Sequence, residues 1–330
     1  MKNYIDPYTY AAELNCRILQ VLSVFRKEDI KVEWLFYNTL VSFSSLYNYS
    51  IIKKKRCFGY DLPIISSNLQ IMNIEMVKKS FEYFLEAKEY ILEKILAQKV
   101  VFARLDSFYF KHREFNYKKI HDSHSYMLCG YNLDCDSFLV QDYGPSYCGF
   151  VGAEDIRNAY EDNAIIEAEE KSFYPGAKSI VTYDIKSNDV DLFTIGNEFT
   201  KKIMGYYEDL MCYDLLIEDI KTRRVNEDNL FHLFNLMTVT RSLFTTFLQF
   251  GYTNKIAACK YELCFKKAKF IRDSVKNKSL FSCTAMLTWI KELKQLEDEA
   301  YKELKNNMDK FILMENKFYK HSGEKCSVLE

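Results

Sequence analysis

The stretch His124–Asp142, HSYMLCGYNLDCDSFLVQD, reads as two β-strands around a tight turn. Ser125 to Tyr131 is aromatic and apolar, Asn132-Leu133-Asp134-Cys135-Asp136 is a cluster of turn formers, and Ser137 to Gln141 forms the return strand. In an antiparallel hairpin, residues whose numbers add to a constant stand opposite each other on one face. His124 and Asp142 add to 266, which centres the turn on Leu133. A histidine and an aspartate are therefore expected side by side at the open end of the hairpin. They supply a base and its orienting carboxylate, and still lack a nucleophile.

Cys16 is the candidate nucleophile. It falls in the first turn of a helix expected over residues 12–26, with apolar positions at Leu14, Ile18, Leu19, Leu22 and Phe25. Backbone N–H groups and the dipole at a helix start favour negative charge and lower a thiol's pKa, and a nearby imidazole lowers it further. Most other cysteines read as small buried apolar residues: Cys57, Cys129, Cys212, Cys259, Cys264 and Cys283 lie in apolar or helical contexts. Cys129, five residues beyond His124, points to the opposite face of its strand. Cys135 and Cys148, in loops near the hairpin, are the competing thiols. His112 and His121 are rivals to His124, with His121 read as an exposed loop residue. A zinc site from His121, His124, Cys129, Cys135 and Cys148 has irregular ligand spacing, so no metal is expected.

The 330-residue chain is 48% hydrophobic and 28% charged, which indicates a globular protein. A net charge of −1 gives no global basic field, and nucleic acid is not expected as a partner. The start, MKNYIDPYTYAAEL, lacks the basic and apolar regions of a signal peptide, and Leu243–Phe250 is too short to span a bilayer. The ten cysteines show no CxxC pair and read as reduced thiols, which with the missing export signal points to a cytoplasmic protein without a membrane role.

Helical patterns are expected over 32–48 and Asn73–Gln98, separated by an exposed basic run, Lys53-Lys54-Lys55-Arg56, and a break at Asp61-Leu62-Pro63. Strands follow at 100–106, in the hairpin, and at Lys178–Ile185, with a short helix at Ala153–Tyr160. Beyond Asn188 the strand signal ends. Helical patterns cover 190–222, 227–250, 254–276 and 281–316, with Asn226-Glu227-Asp228 as a cap and Gly251 as a stop. His232 falls on an apolar helical stretch and reads as a core or interface histidine. The expected organisation is α+β over residues 1–187 and all-α over 188–330.

Cysteine at a helix start, then histidine opening a strand, then aspartate ending the next, matches the papain-like order. The run VVFARLDSFYF, a basic and aromatic insert, HDSHSYMLCGYNLDCDSFLVQDYGP and the helix GAEDIRNAY together resemble the N-terminal domain of the butirosin biosynthesis protein H family, over about residues 5–185. The resemblance implies a papain-like fold with an all-α C-terminal extension. It also implies an enzyme that moves an acyl or peptidyl group from a carrier-protein thioester to an amine in antibiotic or nonribosomal peptide assembly. Cys16 maps onto the nucleophile, His124 onto the general base and Asp142 onto the orienting acid. The expected partners are an acyl or peptidyl carrier protein and an amine acceptor. The expected prosthetic group is the phosphopantetheine arm of that carrier; the chain itself needs no cofactor. Where papain-like peptidases place a glutamine oxyanion donor, this chain has Tyr10, with the Cys16 backbone N–H as the second donor. Asn15 and Asp106 are further pocket candidates, Asn15 also reading as an N-cap and Asp106 as a hydrogen-bonded turn residue. A peptidase or thioesterase would use the same triad with water as acceptor, and a binding module on the same fold would keep Cys16 away from His124.

Overall fold

The computed structural model describes residues 5–8, 15–60, 62, 64, 68–143, 146–162, 178–204, 210–251, 255–277 and 283–307. Tyr10, Asp61, Pro63 and His321, and the end of the helix expected to reach 316, lie outside them. The chain divides into two compact units, residues 1–31 with 73–188, and residues 32–72 with 189–330. Segment 32–72, placed by sequence in the first domain, thus clusters with the helical remainder.

The first unit is α+β. Its six-stranded sheet runs β1 (Ile74–Ser80), β6 (Ser179–Ile185), β2 (Val101–Asp106), β3 (Ser123–Asn132), β4 (Ser137–Tyr143) and β5 (Ser146–Gly152), and every pairing is antiparallel. Strand alternation sends Val101, Ala103, Leu105, Tyr126, Leu128, Phe138 and Val140 to one face. There they form a core with Phe84, Ala87, Tyr90 and Ile91 of α3 (Phe84–Leu96) and Ile156, Ala159 and Tyr160 of α4 (Ala153–Glu161). Helix α1 (Cys16–Lys27) reaches the sheet through other residues of its strands: Phe25 meets Tyr183 edge-on at 5.2 Å, and Gln20 bonds Ser125.

The helix expected over Asn73–Gln98 is two elements. Residues Ile74–Ser80 form an edge strand with one buried side chain, Ile74, so apolar spacing carries no alternation there. What holds β1 is its backbone pairing with β6, from Ile74 opposite Ile185 to Ser80 opposite Ser179, and Lys78 and Lys79 guard the open edge. Strand β5 was likewise not expected; its side chains alternate between exposed and half-buried.

The key hairpin forms with a different register. Asn132 stands opposite Ser137, but a bulge between Leu128 and Gly130 shifts the pairing to Met127 opposite Gln141. Continuing that pairing puts Asp142 opposite Tyr126, two residues from the expected partner His124. A shift of two preserves the face, and diagonal neighbours remain within side-chain reach.

In the second unit no strand occurs among the described residues. The helix expected over 32–48 is a 3-10 turn at Val32–Phe36 followed by α2 (Phe43–Tyr47). Between them the Thr39 hydroxyl caps the Phe36 carbonyl at 2.7 Å, and β-branched Thr39 and Val41 disfavour a continuous helix. The pattern over 190–222 is α5 (Leu192–Met204) and α6 (Cys212–Lys221). Helices α7 (Glu227–Gly251), α8 (Lys255–Lys276) and α9 (Cys283–Asn306) follow. Asn226 caps α7 by accepting from the Asn229 N–H at 2.8 Å. Gly251 is the last described residue of α7, and glycine is required there by packing: a Cβ would lie 2.5 Å from the Trp34 ring, and no described glycine has positive φ. Buried Arg241 of α7 pairs with buried Glu297 of α9 (Nε–Oε1 2.6 Å) and donates to the Val41 carbonyl at 2.7 Å. No described helix is long and apolar enough to cross a membrane.

Candidate active site

Asn15 has extended φ/ψ and accepts from the Ile18 N–H at 3.0 Å, which starts α1 at Cys16. The thiol is thus on the first helical residue, whose backbone N–H has no intrahelical acceptor. Gln20, one turn along, locks α1 to β3. Its Nε2 donates to the Ser125 carbonyl and its Oε1 accepts from the Ser125 hydroxyl, both at 2.8 Å. Ser125 follows His124, so this reciprocal pair sets the sulfur against the imidazole.

Cys16 Sγ lies 3.5 Å from His124 Nδ1, and His124 Nε2 lies 2.9 Å from Asp142 Oδ1. Asp142 is fully buried and accepts more than this one bond. Arg113 donates from Nε to Oδ2 at 2.8 Å, and His112 Nε2 stands 3.3 Å from the same oxygen. The Arg113 guanidinium also meets His124 Nε2. His112 stacks on Tyr147, with centroids 3.8 Å apart, and Tyr147 pairs with Asp142 across β4 and β5. Tyr126 presents its edge to His124 at 5.0 Å and stacks on Phe110 at 4.1 Å, forming an apolar wall.

These contacts set the charges. Burial pushes Asp142 up, but hydrogen bonds from His112 and His124 and the positive charges of His124 and Arg113 outweigh it, holding the carboxyl well below its ordinary range. Burial pushes His124 down, yet the Cys16 thiolate and the Asp142 carboxylate raise it to about 9. Burial opposes the Cys16 thiolate, but the His124 charge, its hydrogen bond and one from the Ser125 backbone bring the thiol below its ordinary value. The three directions favour a thiolate–imidazolium pair at neutral pH. Because Asp142 accepts at Nε2, Nδ1 is the nitrogen that exchanges a proton with sulfur.

The sequence candidates separate here. Cys16, His124 and Asp142 come together. Asn15 spends its side-chain oxygen on the helix cap. Asp106 is buried and bonds the Phe108 and Asp122 N–H groups and His121 Nδ1 (2.5 Å), so it closes a turn. His121, read as an exposed loop residue, is exposed in a loop, where it also partners Asp106 and stacks on Phe108. His112 is a second donor to Asp142, beside His124. Cys259 and Cys283 are exposed and Cys212 is half-buried, contrary to the buried reading. Cys129 is buried, and its thiol is pushed up to about 12. Cys57 is buried against His232 Nδ1 at 3.2 Å. Among the described residues, no group of three His, Cys, Asp or Glu side chains could hold a metal. Arg113 and Gln20 were missed. Arg113 carries a signal, its place beside His112 in the basic insert; Gln20 carries none, being a polar residue in an apolar helix.

A cysteine, a histidine and a carboxylate in contact, on a helix start and an antiparallel sheet, form an arrangement of the kind that supports nucleophilic catalysis. No family model matches it. The chain is similar to the ribostamycin:4-(gamma-L-glutamylamino)-(S)-2-hydroxybutanoyl-(BtrI acyl-carrier protein) 4-(gamma-L-glutamylamino)-(S)-2-hydroxybutanoate transferase of Niallia circulans, with 23% identity over 245 residues, covering 72% of this chain and 76% of that protein. That relative is an acyltransferase of the butirosin biosynthesis protein H type, the family the residues resemble.

Proposed function

We propose that this chain is a papain-like, cysteine-dependent acyltransferase that forms an amide from a carrier-protein-bound thioester in antibiotic assembly. The contact between Cys16 Sγ and His124 Nδ1 at 3.5 Å, in a chain similar to an acyltransferase, carries the reading. The Cys16 thiolate attacks the thioester carbonyl. A new C–S bond forms, the bond to the phosphopantetheine sulfur breaks, and the leaving thiolate takes the proton from His124. An amine then attacks the acyl-enzyme, its proton passes to His124, and Cys16 is released. Thiol exchange is nearly isoenergetic, so a cysteine suits a thioester donor. The Cys16 backbone N–H, and Tyr10 from the undescribed segment, are the proposed oxyanion donors. Asp142 holds the His124 tautomer, and Arg113 and His112 hold Asp142. The phosphopantetheine arm belongs to the carrier.

Intact-mass spectrometry after incubation with an acyl N-acetylcysteamine thioester tests the reading. The wild type gains one acyl mass, and Cys16→Ala gains none. Label that persists in Cys16→Ala and vanishes on replacing Cys135 or Cys148 sinks it. With amine added, amide in excess over free acid identifies a transferase, and acid in excess a thioesterase or peptidase.

A further inference from the structure

Helix α8 combines an excess of positive charge with an exposed apolar stripe. Its 22 residues carry six lysines and Arg272 against Glu262 and Asp273, in a chain whose net charge is −1. Three large apolar side chains spaced seven apart lie in the open: Ile256 is 59% exposed, Leu263 49% and Phe270 46%. At helical rise they form a ridge roughly 21 Å long. Residues seven apart drift by only about 20° around the helix, so the three share one face. The lysines border that face on both sides, Lys260 and Lys267 on one, Lys255, Lys266 and Lys269 on the other. Lys267 also pairs with Glu292 of α9, and Phe270 meets Trp289 edge-on at 4.8 Å, so the far end of the ridge rests on the bundle. Both acidic residues of α8 are already engaged: Glu262 with Lys266 at 2.7 Å and Asp273 with Arg272 at 2.7 Å.

A second basic segment belongs to the same unit and is tied to the buried face of α8, turned away from the ridge. The exposed run Lys53–Arg56 ends at Cys57, whose sulfur accepts from Asn235 Nδ2 at 3.4 Å, and Asn235 Oδ1 accepts from Arg272 of α8 at 3.2 Å. Neither α7 nor α9 shows such an excess; α9 mixes lysines with Glu292, Glu297, Asp298, Glu299 and Glu303.

We propose that the exposed ridge of α8 and its lysines form the docking surface for the acidic, helical carrier protein that delivers the acyl group. The proposal rests on the transferase reading above and names the surface through which that partner is held. Charge complementarity selects the occupant. An apolar ridge bordered by cations fits a partner that places carboxylates around a small apolar patch. A second copy of α8 would set lysine against lysine. Residues 308–330, with four acidic residues and four lysines, carry no net charge to complement it. Docking raises the effective concentration of the thioester at the enzyme, so the surface acts on KM and leaves the chemistry at Cys16 alone.

The test compares two donors, the acyl-carrier protein named for the Niallia circulans relative, charged with an acyl group, and the same acyl group on N-acetylcysteamine. Variants are the triple Lys255→Glu, Lys266→Glu, Lys269→Glu and the single Leu263→Ser, all outside the core. Three charge reversals raise KM for the carrier donor about tenfold or more with kcat unchanged, and wild-type KM rises as NaCl goes from about 50 to about 300 mM. Acylation by the small thioester stays at the wild-type rate in both variants. A carrier KM unmoved by the triple variant, a carrier donor no better than the small thioester, or ridge binding of anionic vesicles in place of the carrier overturns the inference while leaving the acyl-enzyme intact. Relief of the carrier's KM defect by deleting residues 308–330 also overturns it, because the tail would then be the occupant. Failure of wild type to acylate from either donor removes the transferase reading itself.

Discussion

The substitution Asp142→Asn would reverse one proton. In the wild type, Oδ2 of the carboxylate takes Arg113 Nε at 2.8 Å and Oδ1 takes His124 Nε2 at 2.9 Å. Arg113 can only donate. The new amide must therefore give its carbonyl oxygen to Arg113 and turn its nitrogen toward His124. Nε2 then has to accept, the imidazole proton moves to Nδ1, and the nitrogen 3.5 Å from Cys16 can no longer take the thiol proton. The loss has two parts. Without a carboxylate the imidazolium is less stable, so His124 falls from about 9 toward its ordinary value. At about 1.4 kcal/mol per pH unit that is at most about 3.5 kcal/mol, shared with the Cys16 thiolate. The tautomer reversal adds to it; in a serine-protease triad the equivalent change costs about 10⁴ in kcat. Single-turnover acylation of Cys16 by a small thioester, followed by intact mass, should slow by about 10³ to 10⁴. Adding Arg113→Met frees the amide to flip and present its oxygen to His124, so the double variant should recover about tenfold or more over Asp142→Asn. Melting curves of each variant separate this from unfolding. Asp142→Asn within tenfold of wild type, or a double variant no faster than the single one, would refute the tautomer argument.

Acylation should follow a bell-shaped pH profile, its acid limb below the ordinary thiol value because Cys16 is lowered and its alkaline limb near 9 where His124 loses its proton. Because the folded pKa of His124 is raised above its unfolded value, its stabilisation is complete below about 6.5 and is lost as pH rises through about 9; thermal melts from pH 6 to 10 should show it, and a Cys16→Ala variant should lose part of the slope. Gln20→Leu strands the Ser125 carbonyl and hydroxyl, costing about 1–3 kcal/mol in urea unfolding, and should slow acylation as the helix start loosens from β3. Glu297→Ala leaves Arg241 charged and buried at a cost of about 3–5 kcal/mol, a fall in Tm on the order of 10 °C, and the double variant Arg241→Met, Glu297→Leu should recover most of it; an unchanged Tm in Glu297→Ala would contradict the buried pairing.

The residues of the candidate site were legible because each carries a local signature: a cysteine at a helix start, a histidine and an aspartate at the two ends of a hairpin. Their contacts were less so. Gln20 and Ser125 meet 105 positions apart, and no local pattern marks a polar side chain that satisfies a distant strand. Arg113 reaches Asp142 from a loop of turns, where periodicity is silent. The long helical patterns after Asn188 are readable because α8 and α9 bury one face each and α7, buried on every side from Leu233 to Arg241, is a long apolar run without proline, while β1 reads as helix because an edge strand with one buried residue lacks the alternation that marks strands. Segment 32–72 was assigned by proximity in sequence. Its membership in the other unit rests on contacts such as Lys202 Nζ with the Asn38 carbonyl and Arg241 with the Val41 carbonyl, which only the folded chain exhibits.

The bulge at Cys129 has a consequence for how this hairpin tolerates insertions. Counted outward from Asn132 opposite Ser137, an unbroken ladder would set Asp142 across from Met127, an odd number of steps from His124, and send imidazole and carboxylate to opposite sides of the sheet. The single surplus residue restores even parity. Deleting Cys129 straightens the strand yet leaves every cross-strand partner in place, whereas adding one residue between Met127 and the turn without a second kink would divorce the histidine from its acid. Relatives whose hairpins differ by an odd number of residues should therefore also differ by one kink, gained or lost.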